Sequence, residues 1–408
     1  MNGDMYLAWA SNEENRNKAD CGGAVTALLK FALESGLVDA VLAIKARDGD
    51  RYDGIPVLIT DPEEIKDTAG VLHSSSINIP RYLKEYMAGV YNRKLAVVCK
   101  PCDARALIEL TKRDVMHLEN LLLIGLNCTG TFSPVTAKEM FKEKFGVNPS
   151  DVIKEEIEDG KLKIRLKDET EVERDLKILE EEGYGRRENC RRCEINIPTM
   201  TDIACGRWGA TDEKKTFIEV CSDKGSNLIE SAIEADSIKV ERPNSEAIET
   251  RRKQDALAIK LAQEWQEKDF APFKAMSADE RFSYWFSQFN QCIKCFGCRD
   301  ACPICFCEHC MLEADRGYVS GGEIPPDPLW PMVRIVHVMD SCINCGQCQD
   351  ACPMELPLAK LIFMLNKEVA PRFDYEPGIN VESRAPSATV TDTELTIDDV
   401  ALFLKKSV

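Results

Sequence analysis

Positive charge is what this chain is short of. Its 52 Lys and Arg stand against 69 Asp and Glu, a net charge of −17. Phosphate backbones are held by clustered Lys and Arg, so a general nucleic-acid binder is not expected. Long apolar runs are lacking as well. The best, Leu121 to Leu126, is strand-sized, well short of the roughly 18–20 residues a membrane helix needs. No membrane span is expected. The first residues, Met1 to Lys18, have no basic region followed by a long apolar core. No export signal is read there, and the expected compartment is the reducing cytoplasm. No G-x-G-x-x-G occurs, so a Rossmann flavin or NAD site is not supported. Histidine is scarce, and a structural role is favoured over ligation for each of His73, His117, His309 and His337.

Cysteine, by contrast, is abundant, with 19 in 408 residues. A disulfide framework suits small secreted domains, and this chain is neither small nor visibly secreted. Metal ligation is the better explanation.

The chain divides into four parts. Residues 1–240 alternate helical and strand patterns and read as an α/β or α+β core domain. Within it, 21–36 has helical spacing with Gly22–Gly23 at its start and Gly36 as its stop. Buried strands are read at 38–46, 94–98 and 120–127. Helices start at Asp61-Pro62, near Asp103 and at Ser133-Pro134. Residues 152–175 read as hairpins. Residues 241–275 are a charged helical connector. Ser277 and Glu280 form a capping box that opens a helix bearing Phe282, Tyr284, Trp285, Phe286 and Phe289. That aromatic face is expected to pack over the cysteine-rich domain, 276–370. The tail, 371–408, carries a short amphipathic docking helix at 396–406.

Two segments of the third part share one spacing. Cys292-x2-Cys295-x2-Cys298-x3-Cys302-Pro303 is repeated as Cys342-x2-Cys345-x2-Cys348-x3-Cys352-Pro353. This is the pattern of bacterial ferredoxins, in which the first three cysteines wrap one cluster and the fourth reaches the other. One [4Fe–4S] cluster is therefore expected on Cys292, Cys295, Cys298 and Cys352. The second is expected on Cys342, Cys345, Cys348 and Cys302. The fourth cysteine of each motif is expected to begin a helix. Paired Cys-x2-Cys also binds zinc, but four cysteines per motif, the following proline and the duplication favour clusters. Gly297 and Gly346 would let backbone N–H groups approach the sulfurs.

The core domain has cysteines of its own. Cys102 and Cys128 each follow a predicted strand, where α/β folds place their sites, and Cys190 and Cys193 form a further Cys-x2-Cys. The residues alone leave two readings open: convergence on one more cluster, or ordinary buried small side chains, as Cys99 also suggests. Gly22–Gly23 at a helix start is open in the same way, as a phosphate cradle or a turn.

Asp20-Cys21-Gly22-Gly23-x2-Thr26-Ala27-Leu28-Leu29, Lys100-Pro101-Cys102, Gly125-x2-Cys128, and Cys190-x2-Cys193 followed by Thr201-Asp202-Ile203-x2-Gly206 occur in this order. Over about residues 18–240 they resemble the beta-subunit family of coenzyme F420 hydrogenases and dehydrogenases. The ferredoxin-type extension is most like the members that serve formate dehydrogenases. The resemblance implies FAD and one [4Fe–4S] cluster in the core, and reduction of coenzyme F420, a deazaflavin, as substrate. It implies Cys102, Cys128, Cys190 and Cys193 as ligands. Gly22, Gly23, Thr26, His73, Ser74 and Ser75 would lie in the flavin region, with Lys100 and Asn127 as further candidate contacts. Lys100 and Cys205 depart from the family pattern.

No side chain is expected to dominate catalysis, because the flavin carries the chemistry. The implied partner is a catalytic alpha subunit with a molybdenum or tungsten pterin, alone or within a larger heterodisulfide reductase-type electron-bifurcating complex. Open alternatives are a subunit of an F420-reducing hydrogenase or other F420-coupled reductase, and a flavin-free polyferredoxin. Three clusters are expected. A fourth requires Cys305, Cys307 and Cys310 to find another ligand, with Cys205, Cys221 or a partner chain as candidates. Otherwise the three are packed thiols.

Overall fold

The computed structural model describes residues 3–210, 212, 214–307, 310, 312 and 328–388. Its strands are β1 (Met5–Ala10), β2 (Ala40–Arg47), β3 (Asp50–Ile59), β4 (Leu95–Cys99), β5 (Leu121–Leu126), β6 (Val152–Glu158), β7 (Lys161–Leu166), β8 (Glu171–Asp175), β9 (Ile203–Gly206), β10 (Thr216–Val220) and β11 (Ile238–Glu241). Eight of them form one mixed sheet in the order β11-β1-β10-β9-β5-β4-β2-β3. Its centre, β2, β4, β5 and β9, is parallel. Both edges pair antiparallel.

A parallel centre needs cover on both faces, and the sequence provides it by alternation. Along β4, Leu95, Val97 and Cys99 enter one apolar layer while Ala96 enters the other. In β5, Leu121 and Leu123 are divided in the same way from Leu122 and Ile124. Successive strand side chains point to opposite faces, so runs apolar throughout can fill both layers. The helices Ala24–Glu34 and Asp223–Glu234 cover one face, and Ile79–Tyr86 and Pro101–Thr111 cover the other. Fully buried leucines such as Leu28 and Leu95 each contribute about 1.5–3 kcal/mol. β6, β7 and β8 form a separate antiparallel sheet that packs with Tyr52, Phe132 and Phe141.

Helix starts follow the caps read from the sequence. Asp61 accepts from the Glu63 N–H, and Ser133 from that of Thr136. Gly23 has φ of +69°, and a Cβ there would stand 2.6 Å from the Asn15 carbonyl oxygen. Only glycine fits such a left-handed, crowded position.

The connector contains one helix, Ser245–Ala275. Its few buried side chains include Trp265, Phe270 and Phe273. Phe270 meets Phe363, and Phe273 stacks on Trp285 with ring centroids 5.1 Å apart. Both contacts reach the cysteine-rich domain. The capping box forms, with the Ser277 N–H donating to Glu280 at 2.7 Å. The aromatic face after it is divided. Phe289 is buried with Cys292 and Cys298, and Trp285 packs against that layer. Phe282 and Phe286 stack on each other at the surface.

The helix expected to begin at Cys302 is not formed. Residues 302–307 make a turn and then run without regular structure. The short helices of the two motifs, Gly297–Asp300 and Gln347–Asp350, end before the fourth cysteine instead. Pro303 and Pro353 disfavour the α conformation at the residue before them. The Cys305 N–H closes a turn onto the Cys302 carbonyl at 3.3 Å. Part of the tail docks on the core: Tyr375 and Ala385 are buried, and Tyr375 donates to Glu109 at 2.6 Å. The helix expected at 396–406 lies outside the described residues, as does His309.

Candidate functional site

The parallel strands deliver the core cysteines to one place. β4 ends at Cys99, Pro101 opens the next helix, and Cys102 lies in its first turn. β5 ends at Leu126, and the Cys128 N–H donates to the Asn196 carbonyl at 2.8 Å. Cys190 sits in the short helix Glu188–Arg191, and the Cys193 N–H turns back to its carbonyl at 3.3 Å. Cys102, Cys128, Cys190 and Cys193 all line one cavity, ≈ 700 Å³ with its opening to solvent included. Gly130, at φ of +114°, makes room for it, since a Cβ there would stand 3.1 Å from that of Cys190. Burial pushes the Cys128 thiol up to about 12 and raises Cys102 and Cys193 too. The thiolate is the form that binds metal, so loading such a site releases protons.

The two ferredoxin motifs interleave in space. Cys292, Cys295, Cys298 and Cys352 line an outer cavity of ≈ 330 Å³. Cys302, Cys342, Cys345 and Cys348 line an inner one of ≈ 500 Å³, with Cys298 also on its wall. Among the described residues no three His, Cys, Asp or Glu side chains close on one point as ligands of a single ion do. The thiols stand around volumes, which is what a multi-atom cluster requires. Gly346, at φ of +79°, leaves space for Asn189 of the core domain. A Cβ on Gly297 would meet the Ala351 carbonyl at 2.8 Å. Cys305, Cys307 and Cys310 line none of these three cavities. Cys307 is exposed and Cys310 buried. Cys205 is packed in the sheet core, a different apolar cluster from that of Cys310, and Cys221 directly follows β10.

A larger cavity, ≈ 1160 Å³ including its open mouth, lies at the carboxyl ends of β2, β4 and β5. This is where open α/β sheets bind ligands. Gly23, Thr26, His73, Ser75, Lys100 and Asn127 line it, while Gly22 and Ser74 do not. Gly22 instead packs on Lys214, whose carbonyl oxygen would stand 2.4 Å from an added Cβ. Lys100 Nζ lies 2.8 Å from Asp103 and donates to the Ile77 carbonyl at 3.0 Å. Several polar groups here have no protein partner. Both amide atoms of Asn127 and the hydroxyl of Ser75 are buried and unsatisfied, and the helix start at Gly23 has no side-chain cap. Unpaired buried polar groups are costly, so these residues fit a large polar ligand such as a flavin nucleotide.

The four cavities stand in a row and share walls. Cys298 and Leu358 lie on both the outer and the inner ferredoxin cavity. Cys345, Asn189, Pro303 and Ile343 lie on both the inner cavity and the core thiol cavity. Lys100, Asp103, Cys128 and residues 129–131 lie on both the thiol cavity and the sheet-end cavity. The domains meet along this row through side chains aimed at backbone carbonyls. Arg187 donates to Cys345 at 3.2 Å, Asn189 to Asn344 at 3.1 Å, Lys84 to Cys305 at 2.6 Å and Asn78 to Ala301 at 3.1 Å. Asp103, Arg187 and Asn189 were not among the residues expected from sequence. Only Asp103 had a signal, three positions after Lys100 at a helix start.

Among the described residues no helix is long and apolar enough to cross a membrane. Two models of the family "Coenzyme F420 hydrogenase/dehydrogenase, beta subunit" match the chain. The amino-terminal model matches residues 5–84 and the carboxyl-terminal model residues 92–246. Residues 335–356 match "4Fe-4S binding domain". The F420-dependent formate dehydrogenase subunit beta of Methanocaldococcus jannaschii is 47% identical, over 92% of this chain and 96% of the relative. The F420-dependent formate dehydrogenase 1 subunit beta of Methanococcus maripaludis is 44% identical, over 94% and 97%. The coenzyme F420 hydrogenase subunit beta of Methanococcus voltae is 29% identical, over 56% of this chain and 80% of its own length. A chain of the F420-reducing [NiFe] hydrogenase complex of Methanosarcina barkeri has a similar fold, with a TM-score of 0.56 at 20% identity, over 66% of this chain and 94% of that one.

Proposed function

The chain belongs to the coenzyme F420 hydrogenase/dehydrogenase beta-subunit family, and on that premise we propose that it is the deazaflavin-reducing half of an F420-dependent formate dehydrogenase. Electrons from a partner would enter at the outer ferredoxin cavity and pass inward to the sheet-end cavity. The observation that carries this reading is the unbroken row of wall-sharing cavities, three lined by cysteine tetrads and the last by unsatisfied polar groups. The formate relatives align over 92% and 94% of this chain, the ferredoxin domain included, whereas the hydrogenase relative aligns over 56%. That difference favours formate over hydrogen as the electron source. Formate oxidation itself belongs to a catalytic partner subunit, with a molybdenum or tungsten pterin.

Each part of the chain has a task in this scheme. The twelve thiols would hold three [4Fe–4S] clusters, each as a tetrad, in the groups that line the three smaller cavities. Asn127, Ser75 and the helix start at Gly23 would bind the polar parts of FAD in the sheet-end cavity. Bound there, the flavin supplies conversion between single electrons and the hydride a deazaflavin accepts. Lys100, held by Asp103 and Ile77, keeps a positive charge on the wall between flavin and cluster. The apolar strands behind the cavity exclude water from that wall.

Anaerobically prepared protein should reduce coenzyme F420 with an artificial low-potential donor and leave formate untouched. Consumption of formate by the chain alone would refute the division of labour. Iron-replete protein that releases no flavin on acid treatment would leave only a polyferredoxin.

A further inference from the structure

Buried or half-buried cations line three of the four cavities. Lys100 stands between the sheet-end and thiol cavities and is paired with Asp103 at 2.8 Å. Arg187 lines the thiol cavity, reaches the Cys345 carbonyl on the next wall, and is paired with Asp350. Arg334 lines the inner ferredoxin cavity, and it differs from the other two. It is 5% exposed. Its strongest electrostatic partners are Cys302, Cys305 and Cys298. Cys302 also accepts a hydrogen bond from it, and among the described residues none of the groups that most favour its charge is a carboxylate. Its Nε is buried without a hydrogen-bond partner.

A guanidinium cannot be deprotonated inside a protein, and a buried charge without a counter-charge is strongly disfavoured. The helix Leu329–Val336 nevertheless places Arg334 there, beside the buried Trp330 and Ile335. The described residues that favour its charge are thiols, and a thiolate-ligated cluster would supply the negative charge that balances it. Cys302 belongs to the inner tetrad, and Cys298 is the outer tetrad's residue on the shared wall. The orphan Nε–H is a donor for which the sulfurs of a cluster are the acceptors. We propose that Arg334 is a positioning residue that raises the reduction potential of the inner ferredoxin cluster, its charge balanced by that cluster.

The sign follows from charge. Reduction adds a negative charge to the cluster, a fixed cation next to it stabilises the reduced form, and the potential rises. Lys100 and Arg187 are already neutralised by their carboxylates, so their effect on potential is smaller. This inference rests on the reading that the two ferredoxin cavities hold clusters, so the experiment tests both separately.

The experiment is an anaerobic redox titration of the full chain followed by electron paramagnetic resonance, with iron and sulfide measured on the same samples. Wild type, Arg334→Gln and Arg334→Lys are compared. The expected result is a downward shift of the inner cluster's midpoint in Arg334→Gln, a smaller one for the outer cluster, and restoration toward wild type in Arg334→Lys. Full iron in Arg334→Gln with an unchanged midpoint would overturn the proposal. If the Gln variant loses iron, the Lys variant decides. Recovery of iron and midpoint supports the charge role, and loss of iron there too means that shape rather than charge is required. Wild-type protein without ferredoxin-type signals would instead defeat the underlying cluster reading.

Discussion

At the scale of single residues, the grouping of the cysteines was the most legible part and their surroundings the least. Spacing alone grouped the eight ferredoxin cysteines, because the motif fixes how far each thiol can reach. The core tetrad needed the family resemblance, since Cys102, Cys128 and Cys190 are brought together only by the sheet. Arg334, Arg187 and Asp103 carry no motif; what distinguishes them is burial, which one sequence does not display. Gly22 shows the converse. Its pairing with Gly23 suggested a ligand cradle, but its freedom is used against the Lys214 backbone. Asn127 gives a direct test at this scale. Gly206 leaves room for its amide, 2.4 Å from where a Cβ would be, and that amide is buried without partners. On the proposed reading it hydrogen-bonds the flavin, and Asn127→Ala would remove bonds worth about 1–3 kcal/mol. Flavin affinity should fall roughly tenfold or more, read as flavin released per chain, while iron content stays at the wild-type level. Unchanged flavin retention would remove Asn127 from the binding site.

At the scale of elements, three apolar strands and the helices after Asp61 and Ser133 were read correctly, while others were missed, including the ten-residue β3 and the helices Ile79–Tyr86 and Asp223–Glu234. The strands at 38–46, 94–98 and 120–127 and the helices behind Asp61 and Ser133 could be read because buried runs and caps are local signals. β1, β9, β10 and β11 have four to six residues each, too few for a period to stand out. They are nevertheless half of the main sheet. The docking of residues 371–388 was also invisible, because it rests on side chains distant in sequence, among them Arg105, Asp340 and the buried carboxylate of Glu109. Glu109 accepts from Lys112, Arg113, Tyr375 and the Gly378 N–H. Burial by itself would raise its pKa, but the bonds from Lys112, Tyr375 and Arg113 together hold it below its ordinary value of 4.5. A carboxyl whose folded pKa is depressed contributes stability that is complete above the unfolded value and is lost as pH falls through the folded one. Glu109→Gln leaves two cations without their counter-charge, at a cost of about 3 kcal/mol or more. Amide exchange of residues 371–388 should therefore be faster in the variant at neutral pH. The difference should shrink as the pH drops below about 4.5. Equal exchange at neutral pH would mean that the carboxylate does not hold the tail.

At the scale of the whole molecule, the two domains share one row of cavities, which the proposed function reads as an electron path. Each domain's cysteines could be grouped from its own sequence or family, but their order in a line could not. That order depends on Cys345 and Cys298 lying on two cavities each, and on Arg187 and Asn189 bonding across the domain boundary. These are contacts between segments about 150 residues apart in sequence, which local patterns do not encode. The surplus thiols Cys305, Cys307 and Cys310 lie outside the row of tetrads, so on the proposed reading the row holds three clusters on twelve cysteines. The most direct measurement is the content of iron, acid-labile sulfide and flavin in one anaerobic preparation of the full chain. The account predicts about twelve iron and about twelve sulfide per chain, with FAD in a one-to-one ratio. About eight iron, or iron without flavin, would contradict it.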